Sequence, residues 1–314
     1  MTYRAKKSLE LKNKYVFARA KKALGQNFLK SEIILRKIIE AGNIKKNDVI
    51  LEIGPGRGAL TKQLLASGCQ LIAVEKDKDL WELLKNKFQK EISSGQLKLI
   101  YDDILKFEIK KAGQNILERA FGRSDGDGQR KFSAENFRGE SENILSSFQN
   151  FKVIANIPYN ITGAILKKFL TEENQPKSMV LMIQHEVATR ILARDGKESI
   201  LSISVKAYGT PKMIAKVDKR YFSPTPKVNS AIISIKNISR KIFRDNGINE
   251  ENFWKIVKKG FAHKRKKLSS NLKYGGVKYG GVASVFHQKD SLIFLKNKRA
   301  EDLSLEDWIA LAKL

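Results

Sequence analysis

The sequence predicts an α/β fold: an open sheet with helices on its faces, followed by a small all-helical domain. Three observations carry this prediction. From Asp48 to Lys236 short apolar β-rich runs alternate with stretches of helical spacing, the pattern of strands joined by crossover helices. After Lys236 the apolar period becomes helical throughout. The chain has 314 residues, 42% of them hydrophobic, enough for one large and one small core without covalent staples.

Taken in order, residues 1–21 form a basic extension that lacks the apolar core of a signal peptide. Ser31 to Ala41 reads as an amphipathic helix with Ser31 as its N-cap. Strands are expected over 49–53, 70–74, 97–101, 151–155, 178–184, 202–207 and 230–236. Helices are expected over 59–66, 78–90, 162–170 and 185–193. Residues 111–150 break the alternation with the glycine-rich polar run Gly122 to Arg130 and are expected to form a flexible surface insertion. Helical patterns follow over 249–260, 264–272, 282–286 and 304–314, the last opening on a capping arrangement of Ser304 and Asp307. The expected domains are therefore 22–237, carrying the insertion, and 238–314.

Sixty Lys and Arg against 33 Asp and Glu give a net charge of +27, a field suited to a polyanion. A lysine-rich composition that decorates every surface is the competing explanation. The single cysteine, Cys69, excludes an internal disulfide and any cysteine cage. The three histidines are too scattered for a metal site, so no metal is expected. No apolar stretch approaches a membrane span. A cytoplasmic, monomeric protein is the expectation.

The chemistry concentrates at strand ends. Gly54-Pro55-Gly56-Arg57-Gly58 ends one strand and opens a helix, where glycines permit close backbone approach and unpaired N–H groups point outward. Its spacing is shorter than the dinucleotide fingerprint and suits a ligand without pyrophosphate, such as S-adenosylmethionine. Glu75 closes the next strand, where a carboxylate accepts hydrogen bonds from ribose hydroxyls. Asp103 follows the third strand and is either an acceptor for an adenine amine or a helix N-cap. Asn156-Ile157-Pro158-Tyr159 closes the fourth. There the Asn156 side-chain oxygen and the Ile157 carbonyl are placed to accept both hydrogens of an exocyclic base amine. Pro158 fixes the turn, and Tyr159 offers a stacking face worth about 1–3 kcal/mol. Phe222, in Phe222-Ser223-Pro224-Thr225-Pro226, is either a second stacking face or core packing.

Together with Lys22-Ala23-Leu24-Gly25-Gln26-Asn27-Phe28-Leu29, these segments resemble the small-subunit ribosomal RNA adenine dimethyltransferase (KsgA) family from about Lys21 to the C-terminus. Residues 261–272 resemble the family's basic C-terminal segment, and 299–304 its closing helix entry. The resemblance implies a Rossmann-like class I S-adenosylmethionine-dependent methyltransferase domain with a helical C-terminal domain. It implies S-adenosylmethionine as donor and two adjacent adenosines in the 3′-terminal hairpin of small-subunit rRNA as targets. By motif match Asn27, Leu29, Gly54, Gly56, Glu75, Asp103 and Asn156 would meet the cofactor, with Asn156, Ile157, Pro158, Tyr159 and Phe222 at the target base. The family commonly carries Leu where Ile157 stands, and the insertion and long N-terminus are departures from its pattern.

Lys264, Arg265, Lys266 and Lys267 are candidates for phosphate contacts, with a solvated helix face as the alternative. Two other functions fit the same motifs. One is the related large-subunit rRNA dimethyltransferase family of macrolide resistance; the basic C-terminal segment favours the small-subunit branch. The other is a non-catalytic RNA-binding or transcription factor on this fold, against which the intact glycine loop, Glu75 and Asn156 argue.

Overall fold

The computed structural model describes residues 20–46, 48–108, 150–273 and 294–313. Contacts divide the chain into two compact units, one of residues up to Gln184 with Ile214–Ser234, the other of His185–Met213 with Ile235–Leu314. The second unit thus takes in residues 185–213, which the sequence boundary at 237 leaves in the first domain. The expected extension lies outside the described residues except for its end, as do nearly all of the expected insertion and the helix expected over 282–286.

The chain opens with β1 (Phe28–Leu29), α1 (Glu32–Gly42), β2 (Val49–Ile53), α2 (Ala59–Ala66) and β3 (Gln70–Glu75). There follow α3 (Lys78–Lys87), α4 (Gln89–Ser93), β4 (Leu97–Tyr101), β5 (Phe151–Asn156), α5 (Thr162–Thr171) and β6 (Ser178–Gln184). Next come α6 (His185–Leu192), α7 (Ile200–Lys206), β7 (Thr210–Val217), β8 (Phe222–Ser223) and β9 (Ser230–Lys236). The last described helices are α8 (Lys241–Asp245), α9 (Glu250–Gly260), α10 (Leu268–Lys273) and α11 (Leu305–Ala312).

A seven-stranded sheet runs in the order β4-β3-β2-β5-β6-β9-β7. Strand β2 pairs in parallel with β3 on one side and β5 on the other. Successive crossovers run outward through β3 and β4, then the chain returns to the far side of β2. That reversal makes the crevice beyond the carboxyl ends of β2 and β5 the switch point where such sheets bind ligands. Near-continuous burial of β2, β3, β5 and β6 explains their unbroken apolar runs. Ile34, Leu35 and Ile38 of α1 and Leu60, Leu64 and Leu65 of α2 belong to the core cluster.

Two local expectations are corrected, one strand is new, and one cap holds by position alone. Residues 202–207, expected as a strand, lie in α7 and its C-cap; Ser199 accepts from the Ser202 N–H at 3.1 Å while the Ser202 hydroxyl accepts from the Ser199 N–H at 2.6 Å. This capping box outweighs the β-branched residues that suggest a strand. Strand β7, unanticipated, exposes Lys212, Ile214 and Lys216 on alternate positions; it ends the sheet order, where lysines and a proline near the strand start are tolerated. The helix expected over 264–272 begins only at Leu268, with the four cations in the turn before it. Ser31 occupies the N-cap position of α1, yet its side chain makes no capping bond.

In the second unit Trp308 is fully buried, and a side chain at Gly260 would overlap its ring. Ser304 caps α11 in the expected box with Asp307.

Candidate active site

At the switch point a cavity of about 460 Å³, within the usual range for small-molecule sites, gathers residues from six segments. Its walls include Asn27 and Leu29, Gly54 and Gly56, Glu75, Asp103, Asn156 and Ile157. Every cofactor residue expected from the sequence therefore meets in one place.

The glycine loop forms the floor. Gly54, Gly56 and Gly58 have φ of 62, 61 and 77°, in the left-handed region that side chains resist. A side-chain carbon at Gly54 would meet nothing within 4 Å, so its face is open to a ligand. At Gly58 it would lie 2.6 Å from the Phe88 ring and 2.8 Å from Leu84, so this glycine serves helix packing.

Two buried carboxyl groups flank the loop. Glu75 accepts from the Gly56 N–H at 3.1 Å and the Asp77 N–H at 2.8 Å. Burial pushes its pKa up against these donors. Glu52, 1% exposed, accepts from the Thr61 hydroxyl at 2.8 Å. Burial raises it to about 8, with the nearby Glu75 charge adding to the rise. Asp103 reaches the cavity as a turn-former: it accepts from the Leu105 N–H at 3.1 Å and pairs with Lys76 at 2.8 Å. Partial burial opposes its ionisation, but the Lys76 ammonium and the backbone donor prevail and hold it below the usual carboxylate range.

Across the cavity the Asn156 amide donates to the Asn27 carbonyl at 3.2 Å. That bond uses one of the two amide N–H groups and fixes the side chain's orientation; its oxygen is the acceptor. Asn27 itself donates to the Gly25 carbonyl at 3.2 Å. Strand β1 pairs antiparallel with β8, setting Phe28 opposite Ser223 and Leu29 opposite Phe222. This ribbon joins the Gly25–Leu29 segment to the Phe222–Pro226 loop, where Ser223 reaches the cavity and the Ser223–Pro224 peptide is cis.

The two stacking candidates sit differently. Tyr159 is partly buried beside the site, its hydroxyl 2.6 Å from the Ser230 hydroxyl. Phe222 is 1% exposed within the core cluster. Of its two expected roles, this structure shows the core-packing one, with the ring buried rather than presented as an open stacking face. Lys264, Arg265, Lys266 and Lys267 are exposed in the turn before α10, not on a helix face, and Lys267 donates to Asn297 at 3.1 Å.

Sequence reasoning missed Glu52 as a cavity acid, and it missed Asp77. Asp77 is buried, caps α3 by accepting from the Asp79 N–H at 3.1 Å, and binds Lys21 at 2.6 Å and Gln26 at 2.8 Å. Its position just before a helical run was the available signal.

A doubly wound sheet whose switch point carries this glycine loop, a buried carboxylate closing the next strand and an oriented amide closing β5 defines a class I S-adenosylmethionine-dependent methyltransferase. The open face at Gly54, the acceptor at Glu75 and the cavity's size fit that cofactor. The sequence matches the family described as ribosomal RNA adenine dimethylase over residues 17–314, and the chain belongs to that family. It is 35% identical over 291 residues to ribosomal RNA small subunit methyltransferase A of Dehalococcoides mccartyi strain CBDB1, covering 92% of this chain and 86% of the relative. The protein of the same name from Fusobacterium nucleatum is 34% identical, covering 94% of this chain and 97% of the relative. In structure it resembles a dimethyladenosine transferase from Plasmodium falciparum, with a TM-score of 0.64, 24% identity and coverage of 90% and 95% of the two chains. It also resembles the 23S rRNA methyltransferase ErmE, with a TM-score of 0.61, 20% identity and coverage of 91% and 98%. At these identities the two structures attest the shared fold. Among the described residues no helix is long and apolar enough to cross a membrane, and no cluster of His, Cys, Asp and Glu could hold a metal ion.

Proposed function

We propose that this chain dimethylates N6 of two adjacent adenosines in the 3′-terminal hairpin of small-subunit rRNA, acting as a cytoplasmic monomer in ribosome biogenesis. The observation that carries the reading is the Asn156 amide, fixed by the Asn27 carbonyl within the cavity that Glu75 also lines. S-adenosylmethionine, when bound, supplies an electrophilic methyl group. Gly54 and Gly56 give backbone access to it, Glu75 accepts its ribose hydroxyls, and Asp103, Asn27 and Leu29 complete its surroundings.

An adenine amine is a poor nucleophile because its lone pair is delocalised into the ring. The Asn156 oxygen and the Ile157 carbonyl accept its two hydrogens and draw the nitrogen toward tetrahedral geometry. Pro158 holds that carbonyl in place, and Tyr159 stacks on the base. Catalysis here rests on position and fixed dipoles, with no strong base required. The target base leaves its stack to reach the site. Lys264, Arg265, Lys266 and Lys267 contact RNA phosphates.

The test is methyl incorporation from labelled S-adenosylmethionine into separated ribosomal subunits. Label in small-subunit rRNA, with a primer-extension stop near its 3′ end, is expected. Label in large subunits alone would transfer the chain to the macrolide-resistance branch. RNA binding without methylation would make it a non-catalytic factor.

A further inference from the structure

The segment over the cavity is tied down at a point the proposed chemistry does not use. Lys21 binds Asp77 at 2.6 Å and Asp79 at 2.8 Å, and Gln26 reaches the second Asp77 oxygen at 2.8 Å. Gln26 also accepts from the Lys21 N–H at 2.8 Å, so the two grips form one closed unit. Asp77 is buried, and its own N–H donates to Glu75. Immediately beyond Gln26, the Asn27 carbonyl takes the Asn156 amide.

We propose that Lys21 and Gln26 form a latch on Asp77 that positions both halves of the active site: Glu75 through the Asp77 backbone, and Asn156 through Asn27. This rests on the methyltransferase reading above. Lys21 does not itself line the cavity but holds Gln26, which does; it is a positioning residue. A buried carboxylate invites such a latch, because leaving it unpaired is far costlier than leaving a surface charge unpaired. Charge-assisted bonds to it are also about twice as strong as neutral ones. Burial opposes ionisation of Asp77, but the Lys21 ammonium and the Gln26 amide hold its pKa below the usual range, so the latch stays charged at neutral pH. Asp79, 65% exposed, contributes a weaker second contact.

The test uses the full chain and measures binding of S-adenosylhomocysteine by calorimetry, alongside kcat and KM for methyl transfer. Lys21→Met and Gln26→Leu are each expected to weaken binding about tenfold, the effect of losing one charge-assisted hydrogen bond. KM for S-adenosylmethionine should rise in parallel, with kcat changing less. Lys21→Arg should recover most of the loss. The two lesions should be less than additive when combined, because they share one acceptor. Unchanged binding in both single variants would overturn the latch. So would a loss of kcat and thermal stability with cofactor affinity and KM intact, since that marks a merely structural tie. If Lys21→Met does not fold, Lys21→Gln takes its place and is judged by the same criteria, because Gln26 lines the cavity and Gln26→Leu alone would not separate positioning from direct contact. Failure of the wild-type protein itself to bind S-adenosylhomocysteine would instead defeat the cofactor reading on which the latch depends.

Discussion

At the scale of single residues, function turns on two side chains whose environments differ sharply. Asn156 is useful because its orientation is fixed: the bond to the Asn27 carbonyl uses one of the two amide N–H groups and sets which way the amide faces, with the oxygen as its acceptor. Asn156→Ala is expected to lower kcat by about a hundredfold or more, the loss typical of removing one preorganised polar group. Asn156→Asp keeps an acceptor but sets an anion beside the Asn27 carbonyl, and should fall between alanine and wild type. Single-turnover methyl transfer on small subunits checks the order; equal activity in all three would sink the assignment. Glu52 has a different consequence. Its folded pKa of about 8 lies above the ordinary value of 4.5. The folded protein therefore keeps a proton that the unfolded chain has lost between those values. Its contribution to stability is full below about 4.5 and is lost as pH rises through about 8. Glu52→Gln cannot ionise yet still offers Thr61 an acceptor. It should flatten the fall in melting temperature between about pH 5 and pH 8 and be the more stable protein at the upper end. Calorimetric scans across that range decide; parallel curves for the two proteins would mean that Glu52 carries no such proton.

At the scale of elements, the strand-to-helix turn at β2 and α2 separates binding from packing within a few residues. Gly58→Ala drives a carbon into Phe88 and Leu84 at a positive φ, and should destabilise the fold by about 2–4 kcal/mol, overlap and strain together. Gly54→Ala meets open space, so its cost is limited to the backbone, about 1–2 kcal/mol. It should instead weaken cofactor binding, because the new methyl group occupies the ligand's side of the loop. Melting temperatures and calorimetric binding on both variants test the division; a larger stability loss at Gly54 than at Gly58 would refute it. Sequence reached this turn because strand, glycines and helix each leave a local mark. It reached β5 and its Asn156 end for the same reason. It failed where a local signal was overridden or where distant residues decide. The 200–206 segment is as β-branched as a strand, and only the Ser199–Ser202 capping box reveals it as α7. Phe222 reads equally as a stacking ring or a core ring, and only its burial in the core cluster, beside a strand partner distant in sequence, tells the two apart. The Asp77 latch joins residues 56 positions apart, a relation no local pattern records.

At the scale of the whole molecule, the governing quantity is the charge of +27. Such a field draws RNA to the protein largely irrespective of sequence, so it sets how tightly and how fast RNA binds, while the pocket sets which base reacts. These two functions respond differently to salt. Each phosphate neutralised by a lysine or arginine releases counterions and steepens the decline of affinity with salt by about 0.7–0.9 in the logarithmic slope. Lys264, Arg265, Lys266 and Lys267 are exposed together in one turn, though Lys267 already bonds Asn297. If this turn meets the RNA backbone, changing Lys264, Arg265 and Lys266 together to Gln removes contacts without disturbing a core. The slope for binding to the 3′-terminal hairpin should then become shallower by about two to three. Affinity for S-adenosylhomocysteine should stay unchanged, because none of these residues lines the cofactor cavity. Filter binding over a series of salt concentrations, paired with calorimetry on the same variant, makes the comparison. A slope equal to that of wild type would remove this turn from the interface and leave the RNA contact to other basic surfaces of the chain.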